Sequence, residues 1–173
     1  VEQNLIGTTA TSFSDPGAAL RNYGGVESIG GDSGTVQNNL IGFGHRGVFL
    51  NNGSNSWTVA NNEIVDNDLA DADGDGIAVA GASNNNTIER NRITGSSSQA
   101  LVVTGSTDID FVNNAVTGNG VGSTTTVSQS AAIAIRSTSR RITIDRNLIY
   151  TNYGAGIAVN NSNDTDSLIT RNS

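Results

Sequence analysis

The 173-residue chain has no cysteine, no methionine and no lysine. Without cysteine, neither a disulfide framework nor a thiolate metal centre is available. Without lysine, all nine basic residues are arginines, and sixteen acidic groups bring the net charge to −7. That balance excludes binding that rests on neutralising phosphates, whether of nucleic acid or of an anionic membrane surface. Four Phe, three Tyr and one Trp are too few for a base-stacking platform. No apolar run approaches the ~18 residues of a membrane span, so membrane insertion is not expected. Methionine is missing even at position 1, as expected of a processed product or a segment of a longer chain. No secretory leader is visible.

What the chain does have is a repeat. An apolar residue, two residues, Asn, one residue and usually Ile or Val recur as VEQNLI, VQNNLI, VANNEI, IERNRI, FVNNAV, IDRNLI and ITRN. The anchoring asparagines are Asn4, Asn39, Asn62, Asn91, Asn114, Asn147 and Asn172, spaced 35, 23, 29, 23, 33 and 25 residues apart. A second tract follows within each repeat: GVFL, GIAV, ALVV, AIAI and GIAV, starting at Gly47, Gly76, Ala100, Ala132 and Gly156. The distance from tract to next Asn is nearly constant, whereas the distance from Asn to tract varies. A short period with insertions confined to one corner is the signature of a solenoid.

Each repeat carries about three short strands of period-2 alternation, rich in Val and Ile and separated by Gly, Asn and Ser. Stacking such coils makes parallel sheets with rungs ~4.8 Å apart. An inward amide at each corner would donate to one neighbouring coil and accept from the other, satisfying polar groups buried at the turn. Asn also suits a tight corner because it tolerates left-handed backbone. The expected fold is all-β: a right-handed, single-stranded parallel β-helix of about six coils with three short strands per coil. Residues 1–173 form one domain in this reading, a segment of a longer solenoid. Both ends stop inside a coil, so further coils or end-to-end stacking are expected.

These repeats resemble those of right-handed parallel β-helix proteins, in particular the large bacterial secreted or surface proteins with N-x-I-G-T repeats. NLIGTTATSFSDPGAALRNYGGVESI (4–29) and VQNNLIGFGHRGVFL (36–50) carry the likeness. The resemblance implies an extracellular or cell-surface location and leaves function open. The same architecture houses pectate lyases, polygalacturonases, alginate epimerases and phage tailspikes. In the lyase-like enzymes it implies a substrate groove on the sheet that follows the variable loop.

On that sheet the expected outward row is Phe49, Ala78, Val102, Ala134 and Ala158. Hydrolysis needs two facing carboxyl groups, and β-elimination needs a base and an enolate-stabilising group. The row offers neither. It is read either as a surface covered by the long insertions at 7–24, 66–75 and 118–131, or as a shallow binding face. The weak catalytic candidates are Glu27, which breaks the row, Arg136, a lone charge on the next outward row, and His45. His45 lies in FGHRG, where some β-helix hydrolases carry Gly-His-Gly; an exposed corner histidine is the competing reading. Arg140 and Arg141 would clamp an acidic sugar or form a solvated turn beside Asp145. Thr35, Thr58, Thr87 and Thr143 form a column that Asp110 interrupts.

Asp71, Asp73 and Asp75 have the alternate spacing of an oxygen-ligand calcium loop, and Gly76 allows the turn. Ala82 stands where that loop needs a bidentate Glu, so Asp66 or Asp68 would have to complete the sphere. Calcium and a metal-free hydrated turn both remain open. The leading functional reading is a non-catalytic structural or adhesive segment with a polysaccharide or cell-surface partner. The alternatives are a polysaccharide lyase, C5-epimerase or hydrolase, and a carbohydrate-binding module.

Overall fold

The computed structural model describes residues 1–9, 12–67, 74–120, 131–160 and 166–173. Among these, three parallel six-stranded sheets wind around one apolar interior, with one strand of each sheet per coil. Sheet I lies before the anchoring Asn and contains Thr35–Gln37, Thr58–Ala60, Asn86–Glu89, Thr107–Val112, Arg140–Asp145 and Leu168–Thr170. Sheet II follows the Asn, running from Leu5–Ile6 to Leu148–Tyr150, and sheet III holds the apolar tracts from Gly24–Ile29 to Ile157–Asn160. The long connections enter between sheets II and III, the corner where the repeat spacing varies.

Each sheet faces the interior with columns of like residues. Val36, Val59, Ile88, Phe111, Ile144 and Ile169 stack in register on sheet I. Ile6, Ile41, Ile64, Ile93, Val116 and Ile149 stack on sheet II. The middle members are fully buried, while Ile169 on the last rung is about half exposed, at 46%. β-Branched side chains suit this arrangement, because their restricted rotamers lose little on a pleated surface. Burying each such side chain contributes roughly 1.5–3 kcal/mol.

The corner between sheets I and II carries the asparagines as one hydrogen-bonded ladder. Asn91 shows the pattern: its backbone N donates to Asn114 Oδ1 at 2.8 Å, and its Nδ2 donates to the same oxygen at 3.1 Å and to Val59 O at 2.9 Å. Its Oδ1 accepts from the Asn62 backbone N and Nδ2, at 2.9 and 3.0 Å. The same bonds link Asn4 to Asn39 and Asn147 to Asn172. One expectation needs correcting. The ladder asparagines do not supply the left-handed backbone; the residue before each one does. Gln3, Asn38, Asn61, Arg90, Asn113, Arg146 and Arg171 have φ between 50° and 56°. The left-handed residue turns the chain, and the next side chain then points inward.

Two further ladders serve the other corners. Asn119 N and Nδ2 both donate to Asn152 Oδ1 at 3.0 Å, and Ser96 N donates to Asn119 Oδ1 at 3.0 Å. Between sheets III and I, Ser54 Oγ donates to Ser28 Oγ at 2.8 Å, while Ser54 N and Ser83 N donate to Ser83 Oγ and Ser106 Oγ. Buried backbone groups at all three corners thus find side-chain partners.

Candidate functional site

The face of sheet III does not assemble the catalytic candidates. Ala78, Val102 and Ala134 are 3%, 7% and 0% exposed and cluster together, with Phe49 packed against them. The middle of this row is buried and is not an open floor. Glu27 pairs in register with Phe49 and borders a hollow of about 10 Å³, between Tyr23, Gly24, Arg46 and Phe49. The Arg46 guanidinium sits 4.4 Å above the Phe49 ring, a cation–π contact at the edge of the apolar floor. Arg136 lies four rungs from Glu27, about 19 Å along the axis, and donates to Gln99 Oε1 at 3.0 Å.

His45 is buried, not exposed at a corner as expected. It is 3% exposed, and Tyr23 from the preceding coil stacks on it at 4.6 Å with the rings 12° from parallel. The His45 backbone N donates to Tyr23 O at 3.1 Å, which brings the tyrosine over the ring.

Asp68, Asp71 and Asp73 lie outside the described residues. Asp75 is buried, and its Oδ1 accepts from the Gln99 backbone N at 3.2 Å, so it is turned toward the next coil. Asp66 is exposed on a left-handed corner residue with φ 47°. Among the described residues, no three His, Cys, Asp or Glu side chains form a group suited to a metal.

A polar groove of about 370 Å³ lies elsewhere, on the outer face of sheet I. Two columns build its walls. Asn85, Asp108, Arg141 and Asp166 occupy successive left-handed corner positions, with φ of 58°, 57°, 52° and 66°. Two residues later in each coil come the outward strand residues Thr87, Asp110 and Thr143, in register on adjacent rungs. The groove therefore runs along the solenoid axis, across the strands.

Within it, Arg141 grips Asp108 with both ends of its fork, Nε to Oδ1 at 2.7 Å and Nη2 to Oδ2 at 2.6 Å. That bidentate bond, aided by the Thr107 hydroxyl, holds the Asp108 carboxyl below its ordinary value of 3.8. The same partner raises the Arg141 pKa. Arg141 is an exposed left-handed corner residue, as the turn reading had it, but the carboxylate beside it is Asp108 and not Asp145. Asp145 is instead buried under Arg171, at 2.7 and 2.8 Å, and Arg146, at 3.3 Å. Asp110, read in the sequence only as an interruption of the threonine column, stands between Thr87 and Thr143 on the groove wall.

Three parallel sheets, an inward Asn ladder and insertions at a single corner define a β-helix repeat protein. The chain belongs to the family described as right-handed β-helix region, matched over residues 31–173. No curated protein matches it in sequence. Among solved structures, a double mutant of the periplasmic alginate epimerase AlgG superposes with a TM-score of 0.75 at 18% identity. All of this chain is covered there, but only 38% of AlgG. The A-module of the mannuronan C-5 epimerase AlgE6 from Azotobacter vinelandii gives 0.52 at 14% identity, covering 87% of this chain and 54% of the module. An alginate lyase from Paenibacillus sp. gives 0.54 at 12% identity, covering 99% and 87%. At such identities the likeness is one of fold.

Proposed function

We propose that the chain is a non-catalytic structural or adhesive β-helix segment of a secreted or cell-surface protein, with a polysaccharide or cell-surface partner. The observation that carries this reading is the separation of its catalytic candidates. Glu27 and Arg136 stand four rungs apart, His45 is shut under Tyr23, and the floor between them is buried and apolar. General acid–base chemistry needs such groups within hydrogen-bond reach of one reacting centre. No helix is long and apolar enough to cross a membrane among the described residues.

The second reading is a polysaccharide-active lyase, epimerase or hydrolase. It is favoured by the fold likeness to alginate epimerases and an alginate lyase. Incubation with alginate, polygalacturonate and neutral polysaccharides separates the two. The expected result is no new reducing ends, no unsaturated product and no change in uronate configuration. Turnover abolished in Glu27→Gln, His45→Ala or Arg136→Ala would overturn the scaffold reading.

Calcium in the acidic insertion is a proposal of the same kind, resting on the spacing of Asp71, Asp73 and Asp75. Calorimetric titration is expected to give a binding heat with the wild type that Asp73→Ala loses. No heat, or equal heat from both, removes the site.

A further inference from the structure

We propose that the groove on sheet I binds a neutral, hydroxyl-rich glycan chain. This rests on the non-catalytic reading and assigns it a binding face, on a different sheet from the one where the lyase-like resemblance would put a substrate. The groove is open, about 370 Å³, and walled on both sides by side chains that hydrogen-bond. Among the described residues, the side chains of Asn85, Thr87, Asp110 and Thr143 make no hydrogen bond to protein. They stand ready on two facing columns at rung intervals of ~4.8 Å. Asp110 accepts only, the Asn85 amide both donates and accepts, and each threonine hydroxyl does either. A row of such groups matches a row of sugar hydroxyls, which are themselves both donors and acceptors.

The charges choose among ligands. Asp108, Asp110 and Asp166 outnumber Arg141 within the groove. Arg141 already gives its Nε and Nη2 to Asp108, so a uronate carboxylate would meet an arginine whose charge is paired and would find only its Nη1 side. A polyanion such as alginate would meet the exposed carboxylates of Asp110 and Asp166 at close range and be repelled. A metal is disfavoured because no three ligating side chains converge among the described residues. A peptide would need apolar pockets or an open strand edge. The groove lining is polar throughout, and the Thr107–Val112 and Arg140–Asp145 strands are paired on both sides.

The test is affinity electrophoresis of the purified chain in native gels cast with mixed-linkage β-glucan, galactomannan or alginate. Wild type is expected to be retarded by at least one neutral polysaccharide and not by alginate. Asp110→Ala removes a carboxylate acceptor, and binding should weaken about tenfold. Asp110→Asn keeps an acceptor oxygen and should retain part of the affinity. Asp110 is exposed between two threonines, so both variants should fold, as circular dichroism will check. Glu27→Ala, on sheet III, should bind as wild type. No retardation by either neutral polysaccharide, retardation unchanged in Asp110→Ala, or retardation by alginate alone overturns the proposal. Soluble product released from the gel polysaccharide would instead count against the scaffold reading.

Discussion

Asn91→Ala is expected to cost about 3 kcal/mol of stability, measured as a shift in urea midpoint, because it leaves buried donors without acceptors. The Asn91 amide is 2% exposed and sits at the middle of the ladder. Removing it takes the only side-chain acceptor from the Asn62 backbone N, one of two acceptors from Asn62 Nδ2, and a donor from Val59 O. Asn4→Ala removes the same chemistry at the exposed first rung, where water substitutes, and should cost under about 1 kcal/mol. Asn91→Asp sharpens the test. A carboxylate would turn an acceptor toward Val59 O and Asn114 Oδ1, where the amide now donates. Its folded-state pKa would be raised, so the penalty is absent below the unfolded value of about 3.9 and grows as pH rises through the folded one. Equal losses at Asn4 and Asn91 would show that the ladder is not the source of stability.

The ladder was legible in the sequence because it is local and periodic. Each anchoring Asn sits at a fixed place between two apolar positions, and seven copies keep that register. A second signal was equally present. Asn67, Asn119 and Asn152 each stand five residues after a ladder Asn, with Ser96 in the same place in between. That column also lines a corner, but its gaps hide it beside the stronger repeat. The serine column, eight residues before the anchor in four coils, is hidden by the overall abundance of serine.

The candidate site was harder to read, for a physical reason. Its key contact joins Asp108 to Arg141 across 33 residues, a distance set by the length of the intervening insertion. Its corner positions hold Ser33, Ser56, Asn85, Asp108, Arg141 and Asp166. No single residue type marks the left-handed turn there, so the column cannot be seen until the coils are stacked. The burial of His45 has the same origin, since Tyr23 reaches it from an insertion of the preceding coil. Packing within a coil follows the pattern of its own residues; packing between loops follows insertion paths that the pattern does not encode.

The interior tests how far a solenoid's stability is shared. Phe111 is fully buried and is the one aromatic in a column otherwise built from Val and Ile. Phe111→Ala is expected to cost about 3–5 kcal/mol, the transfer term plus the cavity left on a rung whose neighbours are pinned by the sheets. Phe111→Ile restores the side chain used on either side, Ile88 and Ile144, and should cost no more than about 1.5 kcal/mol. In a stack where each coil touches only its neighbours, the damage should also be local. Hydrogen exchange of Phe111→Ala should therefore accelerate most in Asn86–Glu89 and Arg140–Asp145, the strands paired with Thr107–Val112. The first coils, with Val59 and Val36 two and three rungs away, should keep most of their protection. An equal loss of protection in every strand would mean that the coils unfold as one unit and that nearest-neighbour stacking does not describe this chain. A local loss would place the weak point of the solenoid on the rung that carries Asp110, so glycan binding across adjacent rungs of the groove would stabilise that rung by linkage.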